Sequence, residues 1–212
     1  MSKVIVFGAG GRAGQRVAAE AAARGHQITA VVRDPRRYPG IEGAVAGDVT
    51  SADDVATLAA GHDAAVHAAA RLDAPGEFFP AAAGALVDGL ARAGVSRLVA
   101  IGIGSTLETA PGVAVHDAPD YPGEYRPFSL GHAAQIEVLR AAGPGLDWVL
   151  LVPPPTFLDP DAGCTGRYRT GGAGVLSMGT LSYADLAVAL VDEIETPRHH
   201  RAVVAVAPAG GG

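Results

Sequence analysis

The segment Val4 to Phe7 is a short apolar run that meets glycines at Gly8, Gly10, Gly11 and Gly14 and passes without a spacer into a helix-forming stretch. A strand that turns into a helix over glycines leaves backbone N–H groups free at the helix start, where phosphate oxygens can be received. Missing side chains let the turn tighten, an anion approach, and the helix pack close to the strand. The spacing is GxxGxxG rather than GxGxxG, and in a chain with 29 glycines a triplet alone says little. Its weight comes from the apolar strand before it and the helical pattern after it.

That pattern places small apolar residues Ala13, Val17, Ala18 and Ala21 on one side of a helix over 12–24, with Gly25 as its stop and a β-rich run at 28–32 behind it. Strand, glycine turn, helix, strand is the βαβ unit of a parallel sheet with a right-handed crossover. The alternation continues through a strand at 43–46, a helix opened by Ser51 with Asp54 and stopped at Gly61, and a strand at 64–67. A helix at 78–93 stopped by Gly94 and a strand at 98–101 follow. Further on, the spacing predicts a helix over 130–142 capped by Ser129 and a sixth strand at 148–152 ended by Pro153 to Pro155. The glycine-rich stretch 159–178 reads as a hairpin lid, and Ser182 with Asp185 opens a last helix that Pro197 ends. An edge or C-terminal strand at 202–207 closes the chain. At 212 residues the expectation is one domain, 1–212, with the small lid appended.

The formal net charge of −6 supplies no basic footprint for nucleic acid or an anionic membrane. A single cysteine, Cys164, excludes an intramolecular disulfide and suits a reducing compartment. The apolar segment after Lys3 is too short for a secretion signal, and no run reaches the length of a bilayer span. The expectation is a soluble, cytoplasmic protein acting on a small molecule, as monomer or homodimer. His199 and His200 read as a solvated turn, and no histidine–carboxylate set has ligand spacing, so no metal is expected.

The end of the second strand bears on which phosphate-carrying ligand the glycine turn would hold. A carboxylate about 20 residues beyond the glycines suits the ribose of NAD, whereas a cation there suits the 2′-phosphate of NADP. Arg33 stands nineteen positions beyond Gly14, and Arg12 inside the turn can converge on the same phosphate. NADPH is therefore the expected cofactor. The alternative is that Arg33, Arg36 and Arg37 form a solvated loop, and Asp34 could still swing onto a ribose hydroxyl. Asp48, followed by Val49, sits at the third strand's end, either on the adenine or as a loop carboxylate. Ala68, Ala69 and Ala70 leave room for backbone to pass the ribose. His67 reads as a hydrogen-bonded structural imidazole, with catalysis as the lesser alternative. Gly104 and Ser105 emerge at the carboxyl edge beside the nicotinamide.

Seven motifs carry a family resemblance: GAGGRAG at 8–14, VVRDP at 31–35, GDVT at 47–50, HAAA at 67–70, IGIGSTLETAPG at 101–112, LDWVLLVPP at 146–154 and SYADLAVALVDEIE at 182–195. The chain resembles an atypical short-chain dehydrogenase/reductase of the NAD(P)H-binding, NmrA-like or flavin-reductase (biliverdin reductase B)-like group. The resemblance implies an α/β, Rossmann-type doubly wound, mostly parallel sheet with a small C-terminal substrate lid. It carries over Gly8, Gly11, Arg12, Gly14, Arg33, Asp48, Ala68 and Ser105 as cofactor-lining positions, with Gly10, Ala13, Val49, Ala69, Ala70 and Gly104 beside them. It also implies that Pro153 and Pro154 face the nicotinamide carboxamide, and that Thr156 and Phe157 wall the site.

Many members of that superfamily use a Tyr-x-x-x-Lys pair. Here Tyr121 is followed four residues later by Tyr125, Tyr125 by Ser129, and the only lysine is Lys3. The expected activity is an NADPH-dependent reductase that passes a hydride to a small conjugated acceptor, a quinone, flavin or polyketide-type ketone, without that pair. Ser105 and His132, in the first turn of the 130–142 helix, are the catalytic candidates, with Tyr121 and Tyr125 as further donors. The bland alternative for His132 is an exposed or neighbour-held side chain. Tyr125, Phe157 and Tyr168 are expected against substrate. A non-catalytic NADPH-sensing regulatory protein is the alternative that loss of the pair would also fit.

Overall fold

The computed structural model describes residues 1–156 and 158–210. The first unit is β1 (Lys3–Phe7), α1 (Arg12–Ala23) and β2 (Gln27–Val32), followed by the short β3 (Val45–Ala46) and α2 (Ala52–Ala59). Next come β4 (Ala64–His67), α3 (Pro75–Ala93), β5 (Arg97–Ile101) and a small hairpin of β6 (Glu108–Ala110) and β7 (Val113–Ala114). The remainder is α4 (Arg126–Ala141), β8 (Asp147–Val152), β9 (Tyr168–Gly171), α5 (Tyr183–Glu195) and β10 (Ala202–Pro208).

Eight strands form one sheet in the order β3-β2-β1-β4-β5-β8-β10-β9, with all neighbours parallel except β9 against β10. The central strands bury both faces, which is why they read as continuous apolar runs rather than alternating ones. Val4 and Val6 pack on the α1 and α5 side, while Ile5 and Phe7 pack under α2, α3 and α4. The chain builds outward from β1 to β3 and then returns to β4 on β1's other side, so the carboxyl ends of β1 and β4 open a crevice at the switch point. This is the doubly wound α/β fold that the sequence suggests.

The expected caps recur as physical contacts. Ser51 and Ser182 accept the backbone N–H of Asp54 and Asp185, and Gly94 closes α3 at φ 73°. Other expectations change. Helix α4 begins at Arg126, a turn earlier than 130, because Pro127 occupies the first turn, where a missing N–H costs nothing. Of the two readings for 202–207, β10 is the C-terminal strand and lies inside the sheet, while β9 takes the edge.

The stretch 159–178, expected as a lid, is held at several points. Asp185 accepts the N–H groups of Thr165 and Gly166 and the Thr165 hydroxyl, β9 joins the sheet, and Ala173 and Val175 bond Glu108 backbone.

The segment 199–201 is exposed at His200 and Arg201, as a solvated turn would be, but it is also anchored. His199 Nδ1 lies 2.6 Å from Glu193 and His200 Nδ1 2.9 Å from Asp147. Arg201, at φ 50°, donates to the carbonyls of Ala142 (2.6 Å), Gly143 (2.6 Å) and Leu146 (3.1 Å), in the loop that follows the end of α4. Arg201→Ala is expected to lower unfolding free energy by about 1–3 kcal/mol, read by urea denaturation. An unchanged midpoint would show the clamp to be idle.

Candidate functional site

At the crevice, Gly8 adopts φ 87°, and its N–H and that of Ala9 donate to the Val31 carbonyl at 3.0 and 3.1 Å. That turns the chain back over β2 and aims α1 at the opening. Helix α1 starts at Gly11, which supplies no capping side chain, so the first N–H groups of Arg12, Ala13 and Gly14 have no intrahelical acceptor. A Cβ on Gly14 would overlap the Gly8 carbonyl oxygen and stand 2.9 Å from Ala9 Cα, so helix and turn approach as closely as backbone permits. Exposed donors, a helix dipole and no side chains in the way form a cradle suited to a pyrophosphate.

The cleft over this cradle measures about 480 Å³. Gly8, Gly10, Gly11, Arg12 and Ala13 form its floor. Arg33 and Val49 bound the side under β2 and β3, and Ala68, Ala69 and Ala70 bound the side after β4. Thus most of the expected cofactor positions meet in one cavity. Gly14 stands behind the floor rather than in it, and Asp48 lies outside the lining, with its Oδ1 accepting the Thr50 N–H and hydroxyl at 2.9 and 2.7 Å. Gly104 packs on the backbone of Pro154 and Pro155, Pro153 and Pro154 are buried beside it, and Gly104, Pro153, Pro154 and Ser105 are also outside the lining.

Charge is arranged asymmetrically. Among the described residues Arg12, Arg33 and Arg37, all at the cleft, take part in no ion pair. Asp34 lies beside them, but Arg36 holds both its oxygens at 2.9 and 3.1 Å and keeps its carboxyl below the usual value. Tyr38, unremarked in the sequence, lays its ring over Gly10 and closes one wall. A tyrosine three residues after a proline turn carries no signal until the turn folds back on the glycines.

Beyond β5, Ser105 is buried in a 3₁₀ turn, with His116 Nδ1 donating to its carbonyl at 2.8 Å. Its Oγ lies 2.9 Å from Ser129 Oγ, which lies 2.9 Å from Tyr121 Oη. Sequence spacing reads Ser129 only as a cap. Its place one turn into α4 instead carries it into the core, where it also donates to the Tyr125 carbonyl at 3.1 Å. The Tyr125 ring itself is half exposed.

His132 takes a different place from the expected one. It lies in the second turn of α4, is 4 % exposed, and stacks its ring 3.7 Å from Phe79, with Phe128 at 4.9 Å. Burial, reinforced by the nearby His67, pushes its pKa down to about 3, so it is a neutral core side chain. His67 is not hydrogen-bonded as expected: neither ring nitrogen has a partner among the described residues, and burial pushes its pKa down to about 4. Tyr168 is turned to α5, where its hydroxyl donates to Asp192 at 2.5 Å and its ring packs with the α1 and α5 layer. Phe157 lies outside the described residues. Among the described residues no group of three or more metal-ligating side chains occurs, and no helix is long and apolar enough to cross a membrane.

Comparison with known proteins agrees with this geometry. Residues 8–197 match the family model described as NAD(P)H-binding. The chain is 33% identical over 203 residues to a 3-diazoavenalumate denitrifying reductase of a Streptomyces species, covering 82% of this chain and 67% of that one. A Burkholderia pseudomallei structure named "putative exported protein" superposes with TM-score 0.84 at 36% identity, covering 97% of this chain and 99% of that one. A Streptococcus pneumoniae TIGR4 structure named "putative NADH-flavin reductase" does so with TM-score 0.84 at 27% identity, covering 98% and 100%. The match of the family model from the glycine turn to the end of α5 spans the cradle, the crevice and both helical layers, and the chain belongs to the NAD(P)H-binding family.

Proposed function

We propose that the protein is an NADPH-dependent reductase of a small conjugated acceptor, a quinone, a flavin or a polyketide-type ketone, working without a Tyr–Lys pair. The observation that carries the cofactor choice is the set of unpaired cleft arginines beside an Asp34 already neutralised by Arg36. A guanidinium fork matches a 2′-phosphate, and an occupied carboxylate is a poor partner for ribose hydroxyls. The reductase names of the Streptomyces and Streptococcus relatives support the reaction class.

When bound, the reduced nicotinamide supplies the hydride. The chain's part is to hold the pyrophosphate on the α1 start, keep the wall of Ala68 to Ala70 close, and present Ser105 to the acceptor oxygen. A quinone or flavin delocalises the incoming electrons and can take its proton from water. A ketone needs a donor, which Ser105 provides.

The test is NADPH oxidation with a panel of quinones, flavins and ketones. Turnover with at least one acceptor is expected, and tight NADPH binding without any turnover would overturn the reading. Arg33→Ala should weaken NADPH binding about 10- to 100-fold, the worth of one charged phosphate contact. NADH binding should change by only about threefold or less. An equal loss for both would remove Arg33 from the 2′-phosphate.

A further inference from the structure

We propose that Ser105, Ser129 and Tyr121 form a switchable proton relay that carries a proton from the protein surface to the acceptor's oxygen. The proposal rests on the reductase reading and assigns how that site protonates a carbonyl acceptor. Three observations carry it: the 2.9 Å Ser105–Ser129 contact, the 2.9 Å Ser129–Tyr121 contact, and the 3.1 Å bond from Ser129 Oγ to the Tyr125 carbonyl.

A serine hydroxyl has one hydrogen and two lone pairs. The Tyr125 carbonyl can only accept, so that contact uses Ser129's single hydrogen. With all three contacts made, Ser105 and Tyr121 must both donate into the two lone pairs of Ser129. Ser105 then points its hydrogen inward and has none to offer a substrate, so this is the resting arrangement. Rotation of the Ser129 hydroxyl from Tyr125 towards Ser105, together with rotation of the Ser105 hydroxyl from Ser129 towards the substrate, reverses the chain. The Tyr125 carbonyl is not orphaned by it, because the Ser129 backbone N–H also donates to it at 3.1 Å. Tyr121 now donates to Ser129, Ser129 to Ser105, and Ser105 to the substrate.

The balance closes on a ketone. Its carbon gains the hydride and its oxygen gains the Ser105 proton, breaking the carbonyl π bond. Ser129 returns a proton to Ser105, Tyr121 returns one to Ser129, and the phenolate left on Tyr121 takes a proton from water. The geometry suits each role. Ser129 is fully buried, so the wire is dry in its middle, whereas Tyr121 is partly exposed and can exchange with solvent. The Arg126 guanidinium lies 5.8 Å from the Tyr121 ring centroid, putting positive charge beside the residue that ends the transfer negative. His116 fixes the Ser105 backbone, so the receiving hydroxyl does not drift. Tyr121 and Ser129 act through Ser105 and are positioning and relay residues rather than contacts of the substrate.

The test compares a ketone and a quinone as acceptors in the full chain with NADPH, for the parent, Tyr121→Phe and Ser129→Ala. Tyr121→Phe loses one hydroxyl from a partly exposed ring, so it reports even if Ser129→Ala fails to fold. The ratio of ketone to quinone kcat should fall about tenfold or more in Tyr121→Phe. Parent ketone turnover in H₂O/D₂O mixtures should show the curved dependence of several protons moving together, and Tyr121→Phe should make it linear. In the cofactor-free chain, ¹³C-tyrosine NMR should show the Tyr121 Cζ resonance shift in Ser129→Ala. An unchanged ratio, an unchanged isotope dependence or an unmoved Cζ resonance overturns the relay. A parent that reduces quinones and no ketone also overturns it while leaving the reductase reading in place. A parent that reduces neither, although it binds NADPH, overturns that reading and the relay with it.

Discussion

Gly14→Ala is expected to lower NADPH affinity at least about 100-fold and to destabilise the fold, although it adds one methyl group in a helix that should welcome alanine. The added Cβ would overlap the Gly8 carbonyl oxygen and stand 2.8 Å from Gly8 C and 2.9 Å from Ala9 Cα. All three obstacles are backbone, so none can rotate away. The Gly8 carbonyl also accepts the Gly11 N–H at 3.0 Å, so moving it unwinds the turn that aims α1 at the crevice. Overpacking of this kind costs about 1–3 kcal/mol, and the displaced N–H groups lose their common focus on a phosphate. Gly84→Ala is the matched control: it lies within α3, and a Cβ there meets nothing within 4 Å. It should raise stability by about 0.5–1 kcal/mol and leave NADPH binding alone. Calorimetric binding and thermal melts of the two variants should move in opposite directions. Equal, small effects would mean that close helix–strand approach does not set the cradle.

The same contrast separates what was legible in the sequence from what was not. The glycine turn, the buried strands and the serine caps are local patterns, decided within a few residues, and β1, β4, α2 and α5 follow them closely. Helix α4 went astray where a local rule has two readings. Pro127 is tolerated in a first turn, so the helix starts at Arg126, which moves Ser129 from a cap to the core and His132 from a first-turn catalytic candidate to a phenylalanine box. Tyr38 over Gly10, Tyr168 on Asp192 and Ser129 on Ser105 are pairings of segments 24 or more residues apart, so no short window along the chain contains both partners. The cleft floor was readable because one segment builds most of it. The Ser105 end was not, because the segments around residues 105, 116, 121 and 129 meet only after α4 docks.

Stability should fall steeply as pH drops from about 6.5 towards 4, well before the carboxylates titrate, because His67 and His132 are folded in neutral. Burial displaces the His67 pKa from 6.5 to about 4, and His132, which also faces His67, goes to about 3. Between those values and 6.5 the unfolded chain binds protons that the native chain refuses. Acid therefore favours unfolding across that window, and the full stability returns above it. At roughly 1.4 kcal/mol per pH unit, a displacement of about two and a half units is worth on the order of 3 kcal/mol for one imidazole. The second adds less than its own shift suggests, because each imidazole's charge opposes the other's. Glu195, held below its ordinary value of 4.5 by Arg24, stabilises above that value and loses its contribution only at lower pH, so the two effects separate on the pH axis. Urea denaturation at intervals between pH 8 and 4 should show a plateau and then this descent, with His132→Leu making it shallower. A flat profile down to pH 5 would mean that both imidazoles protonate in the core as readily as in the unfolded chain, which the burial of His67 and the packing of His132 on Phe79 and Phe128 oppose.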